Sequence, residues 1–167
     1  MIIVSDTSPL LYLLLIGQLE LMPQLYGDIV IPEIVCSEMS AANAPAELRR
    51  WIANPPGWLT VQSVTVAIDD KLKRLNAGEQ AAIALAEKLN ADILLIDERD
   101  GRRVAMQRGL RVVGVLGILD DAATQNLIDI TEAIAKLRQT NFRISPKLIQ
   151  SLLDRYSSAQ NNPDAIP

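Results

Sequence analysis

Met1-Ile2-Ile3-Val4-Ser5-Asp6-Thr7-Ser8-Pro9-Leu10 places a short apolar run, an acid, two hydroxyls and a proline in immediate succession. Ile and Val without polar alternation suit a strand covered on both faces, as in a parallel sheet. Ser8 before Pro9 reads as a helix start, with Ser8 as N-cap and Pro9 at the first helical position. The run from Pro9 to Ile16 is apolar on nearly every side, so this helix must be buried, in the core or against a partner. It is also far short of the roughly 20 residues that span a bilayer.

The same order of strand, acid and helix recurs at Ile93-Leu94-Leu95-Ile96-Asp97, ahead of a helix from Gly101 to Arg108 that Gly109 ends. Further strands are predicted at Asp28 to Ile31 and Leu110 to Val113. Helices are predicted from Pro32, from Ala46 to Ala53, Gly78 to Leu89, Leu116 to Thr124, Ile130 to Leu137 and Pro146 to Tyr156. Asn54-Pro55-Pro56-Gly57 is a clear break. Strands alternating with helices indicate an α/β domain with right-handed crossovers, in which ligands bind beyond the carboxyl ends of the strands. We expect one domain over residues 1–156 and a disordered polar tail over 157–167.

Composition narrows the chemistry. The 167 residues suit one domain at roughly 150 residues each, and 49% apolar with 22% charged residues is ordinary for a globular chain. There is no His and one Cys, which excludes zinc sites, Ser-His-Asp triads and Cys-His pairs. The lone Cys36 has no intramolecular partner, which agrees with a reducing compartment, and we expect a cytoplasmic protein. With 16 basic against 20 acidic residues and a net charge of −4, site chemistry must come mainly from carboxylates, hydroxyls and backbone groups.

Asp6 and Asp97 each follow an apolar strand and should stand at the carboxyl end of the sheet. With Ser8 as the cap, Asp6 has no structural task, whereas Asp97 and Asp100 could each cap the helix after Ile96. Glu33 and Glu38 lie about 140° apart on their helix, so only one can face a crevice. Glu38 follows Ile34 by four residues and Val35 by three, on the inward stripe, while the helix dipole accounts for Glu33. Glu79 is also on an inward stripe, and Asn76 three residues earlier suggests a capping box. Four converging carboxylates would repel one another unless a cation neutralised them, and Mg²⁺ or Mn²⁺ is the natural oxygen-seeking choice.

The segments Val4-Ser5-Asp6-Thr7-Ser8-Pro9-Leu10, Ile31-Pro32-Glu33-Ile34-Val35-Cys36-Ser37-Glu38-Met39, Gly78-Glu79-Gln80-Ala81-Ala82-Ile83 and Leu95-Ile96-Asp97-Glu98-Arg99-Asp100-Gly101-Arg102 occur in that order. Together they resemble PIN-domain ribonucleases, especially the toxin-like branch of bacterial toxin-antitoxin systems. The resemblance implies a three-layer α/β/α domain around a mainly parallel sheet. It further implies hydrolysis of RNA phosphodiesters at an acidic cluster that binds Mg²⁺ or Mn²⁺. Asp6, Glu38, Glu79 and Asp97 are then the catalytic and metal-binding acids and Asp100 a candidate fifth, with Thr7 or Ser8 orienting Asp6 or a metal-bound water. The third acid is Glu where many members have Asp. The implied partners are RNA, an antitoxin protein and a second copy in a homodimer.

Arg99, Arg102, Arg103, Arg108 and Arg111 crowd one stretch beside the acids, and Arg99, Arg102 and Arg103 are the RNA-binding candidates, against the alternative of a solvated, ion-paired face. Trp51, Trp58 and Phe142 are scattered, so base stacking is not expected. A phosphatase of the haloacid type would need Asp where Ser8 stands. A PIN-like module that binds RNA or protein without cleaving it stays open as the alternative.

Overall fold

The computed structural model describes residues 1–160. Its sheet consists of β1 (Ile3–Ser5), β2 (Ile29–Pro32), β3 (Leu59–Gln62), β4 (Ile93–Leu95) and β5 (Val112–Val113), in the order β3-β2-β1-β4-β5. Every neighbouring pair is parallel. The chain builds outward from β1 to β3, then returns to lay β4 on the other side of β1. That reversal opens a crevice between the carboxyl ends of β1 and β4.

Alternate residues of the strands feed two cores. Ile3, Ile29, Ile31, Ile93 and Leu95 join the larger one. Val4, Leu94 and Ile96 join the smaller one on the opposite face. Helices α1 (Thr7–Leu15), α2 (Leu21–Tyr26), α3 (Glu33–Ser40), α4 (Ala46–Ala53), α7 (Val115–Thr124), α8 (Ile130–Arg138) and α9 (Pro146–Gln160) contribute to the first. Helices α5 (Ala77–Lys88) and α6 (Arg99–Gln107), with the 3₁₀ turn Leu72–Arg74, contribute to the second. The result is the three-layer α/β/α arrangement.

Several local expectations change. β3 has no long apolar run to announce it: it is an edge strand after Asn54-Pro55-Pro56-Gly57, with Thr60 and Val61 exposed. The short α2 was equally invisible, being a six-residue helix that Gly27 ends at φ +73°. Asp6, not Ser8, occupies the N-cap position of α1, and Ser8 lies inside the helix. The reason is the sheet: the Asp6 amide donates to the Leu95 carbonyl, so the chain turns helical at Thr7. Pro9 is tolerated there because first-turn amides have no partner inside the helix. Nor is α1 wholly enclosed, since Leu10 and Leu13 are buried while Leu15 is exposed. Helix α9 continues past residue 156 to Gln160, and the rest of the expected disordered tail, 161–167, lies outside the described residues. Among the described residues no helix is long and apolar enough to cross a membrane.

Candidate active site

Asp6 leaves β1 at the crevice and is 4% exposed. Burial pushes its carboxyl up, the Thr7 backbone amide pulls it partly back, and the charges of Glu79, Glu38 and Asp97 raise it again, to about 7. Those three charges come from α5, α3 and the end of β4, so the fold brings the four expected acids within electrostatic reach of one another. Their approach is looser than ligation demands. Among the described residues no three acidic side chains are grouped as they would be around one ion.

Asp97 follows β4 by way of Ile96. Its Oδ1 accepts from the Val115 amide at 2.9 Å. It therefore caps α7 rather than α6, the helix that follows it in sequence, whose N-cap is Glu98. Its Oδ2 is buried without a hydrogen-bond partner. Burial raises this carboxyl to about 6, against the lowering effects of the Val115 amide and Arg102. An unpaired buried carboxylate oxygen costs free energy that a cation would recover.

Glu38 is half-buried on α3 while Glu33 is exposed, which selects the inward acid as expected. The stripe it joins is that of Val35 and Met39, because Ile34 is 38% exposed. The Thr7 hydroxyl donates to Glu38 Oε2 at 3.1 Å. Thr7 thus orients Glu38, not Asp6, and the Ser8 hydroxyl has no hydrogen bond among the described residues. The Glu38 carboxylate lies over Gly78 in the first turn of α5, so close that a Cβ built there would stand 2.5 Å from Oε2. A helix N-terminus favours an anion at that place, and only glycine leaves room for it.

Glu79, 5% exposed, is tied to the helix N-cap in both directions. Asn76 Oδ1 accepts from the Glu79 amide at 2.9 Å, and Asn76 Nδ2 donates to Glu79 Oε1 at 2.9 Å. Its carboxyl is raised by burial above all, with Glu98, Glu38 and Asp100 adding to the effect after the opposing Asn76 contact. Asp100, in the first turn of α6, is exposed and pairs with Arg103 at 3.3 Å.

The arginine cluster divides. Arg102 Nη1 donates to the Ile96 carbonyl at 3.0 Å and stands beside Asp97, so it serves the site from within. Arg108 is engaged by Glu87 and Asp69, each at 2.7 Å. Arg99 and Arg111 are exposed. Gly114 was not singled out in the sequence, yet a Cβ on it would stand 2.7 Å from Asp97 Oδ1 and 2.8 Å from Arg102 Nη1. A glycine after a strand was the signal that could have found it.

The donor set is hard oxygen throughout, and Mg²⁺ takes one or two carboxylates while keeping several waters, so the residues fit such an ion without closer grouping. Asp6 and Asp97, on adjacent strand ends, would be the residues to hold it. The family model DUF3368, described as a PIN domain, matches residues 2–158. The chain belongs to the PIN domain family, whose members are generally nucleases and typically use divalent metals. Among solved structures it is similar to a PilT N-terminus domain protein from the archaeon Sulfolobus solfataricus P2. That likeness has 16% identity and a TM-score of 0.48, over 87% of this chain and 100% of the other. No curated protein sequence matches it.

Proposed function

We propose that the protein is an Mg²⁺- or Mn²⁺-dependent endoribonuclease that hydrolyses RNA phosphodiester bonds, with Asp6, Glu38, Glu79 and Asp97 as its acids. The observation that supports this most is Asp97 Oδ2, buried and unpaired beside a second strand-end acid, Asp6, whose carboxyl is already raised to about 7. A bound divalent ion supplies charge neutralisation at the phosphate and a lowered pKa for the attacking water. The protein's own part is orientation. The Val115 amide fixes Asp97, Asn76 fixes Glu79, and Thr7 fixes Glu38 over the start of α5.

The decisive experiment is RNA cleavage with Mn²⁺ or Mg²⁺, with and without chelator, for the wild type and Asp97→Asn. Chelator and substitution should each abolish cutting. Equal cleavage in all conditions overturns the proposal, and RNA binding without cleavage makes the chain a binding module.

A toxin role, with an antitoxin as protein partner, is supported by the motif resemblance, and a cytoplasmic location by the single half-buried cysteine. Homodimerisation through α1 is supported by Leu15, exposed beside the half-buried Leu11 and Leu14. Light scattering that gives a monomer at micromolar concentration overturns the dimer.

A further inference from the structure

Helix α5 is entered from the 3₁₀ turn Leu72–Arg74 through two residues, Leu75 and the N-cap Asn76. Leu72 and Leu75 are buried in the smaller core, whereas Asn76 is exposed. At many helix starts the residue before the cap packs against the fourth helical residue, an apolar contact that fixes the angle at which the chain enters. Those positions are Leu75 and Gln80 here, and the second is an amide rather than a hydrocarbon. Gln80 is half-buried and makes the link with hydrogen bonds: Nε2 donates to the Leu75 carbonyl at 3.0 Å and to the Leu72 carbonyl at 2.9 Å. Both donors of one side-chain amide are thus committed to the turn that leads into the helix.

Asn76 depends on that angle, and Glu79 depends on Asn76. In an ordinary capping box the acid three residues on reaches back to the backbone amide of the cap. Glu79 bonds the cap's side chain instead, receiving Nδ2 on Oε1 while its own amide donates to Asn76 Oδ1. Its carboxylate therefore points where the Asn76 side chain stands, not where the main chain of the cap would draw it. Asp69 accepts from the Lys71 and Leu72 amides and so holds the beginning of the 3₁₀ turn. Among the described residues Gln80 is the side chain that bonds the main chain at its far end, next to Asn76.

We propose that Gln80 is a positioning residue for the acid site: by fixing the entry into α5 it holds Asn76 against Glu79 and so sets where Glu79 presents its carboxylate. The proposal rests on the ribonuclease reading for the reaction that Glu79 serves. Gln80 acts through Asn76, since its own amide is occupied by Leu72 and Leu75. A residue that only stabilised the helix start would be replaceable by a hydrocarbon. Because Leu75 is buried, Gln80→Leu supplies the ordinary apolar contact there and gives up both hydrogen bonds. The helix start then survives, while the hold on Asn76 is lost.

The test compares the full chain with Gln80→Leu, Asn76→Ser and the double variant, with Gln80→Met as a second apolar substitution closer to glutamine in length. Serine caps a helix about as well as asparagine but lacks the amide that reaches Glu79 Oε1. Amide hydrogen exchange in EDTA reads the hold directly, because the Glu79 amide lies in the first turn and has Asn76 Oδ1 as its acceptor. In Gln80→Leu it should exchange at least about tenfold faster, with the amides of Ile83 to Ala86 within about twofold of the wild type. In Mn²⁺-dependent RNA cleavage kcat should fall about tenfold and KM stay within about twofold. The double variant should cut no more slowly than the slower single variant, since both substitutions act on one contact. The proposal falls if Glu79 exchanges as in the wild type, if the amides of Ile83 to Ala86 quicken equally, or if the two losses in cleavage multiply. Faster exchange at Glu79 with unchanged kcat also overturns it and leaves the nuclease standing. If the wild type cuts no RNA with either metal, the ribonuclease reading falls, and the exchange at Glu79 alone decides whether Gln80 holds that acid.

Discussion

Two groups of charges in this molecule are built on opposite principles. At Arg108 the guanidinium meets Glu87 through Nε and Nη2 and Asp69 through Nη1, so every charge has a partner. The cluster binds α5, α6 and the segment before Leu72 together at the surface. At the crevice Asp6 and Glu79 are buried and Asp97 half-buried, Glu79 and Asp97 raise the Asp6 carboxyl by their charge, and none of the three forms an ion pair among the described residues. A satisfied ion network explains itself as structure. Like charges gathered at the topological reversal of a sheet repel one another whatever Asp97 and Glu79 contribute at helix starts, and that is why the second group, not the first, indicates chemistry.

The largest difference between the two regions should appear in catalysis. Asp97→Asn is expected to cut metal-dependent RNA cleavage by more than about 100-fold, whereas Arg108→Ala should leave it within about twofold in the same assay. An equal loss in both would erase the distinction.

Stability against pH should differ in sign. The Asp6 carboxyl is raised from 3.8 to about 7 in the folded protein, so between those values the folded state holds a proton that the unfolded state has released. In chelator, the melting temperature should therefore rise as pH falls from about 8 to about 5. Asp6→Asn should remove most of this slope and stabilise the metal-free protein at pH 8 by on the order of 2–4 kcal/mol. Added Mn²⁺ should then stabilise the wild type more than the variant. Asp69 behaves oppositely: the Leu72 amide and then Arg108 hold its carboxyl low, so its contribution is present above its ordinary range and lost as pH falls. A metal-free protein more stable at pH 8 than at pH 5 would contradict the crevice as described.

Gly78→Ala sharpens the comparison further. The added Cβ meets the movable end of Glu38 rather than backbone, so chemical denaturation should shift by no more than about 1 kcal/mol. Cleavage should nevertheless fall by about tenfold, because Glu38 is displaced from the start of α5. The smallest effect is expected for Arg108→Ala in stability, about 1 kcal/mol in urea titration and less in high salt, as befits a partly exposed network.

Strands buried on both faces were legible because continuous Ile, Val and Leu leave few other readings, and four of the five lay where those runs predicted. β3 was not, since it lies at the sheet edge, where consecutive residues Thr60 and Val61 both meet solvent and leave no continuous apolar run. The acids were legible for a related reason: a carboxylate at the end of an apolar strand, or on an inward helix stripe, is out of place by its own sequence context. Their partners were not. That Thr7 serves Glu38, that Asp97 caps α7, that Arg108 is spent on Glu87 and Asp69, and that Arg102 turns inward all depend on pairings between distant segments.

By itself, then, the amino-acid order determined the α/β alternation, the exclusion of imidazole chemistry and the placing of four acids at strand ends or on inward helix stripes, because each follows from local periodicity or from residues simply absent. Tertiary structure alone decided the strand order that opens the crevice between β1 and β4, the oxygen of Asp97 left unpaired, and the meeting of Thr7 with Glu38. Those depend on which surfaces come together when the two cores close on the sheet, and no local pattern records a contact between residues so far apart along the chain.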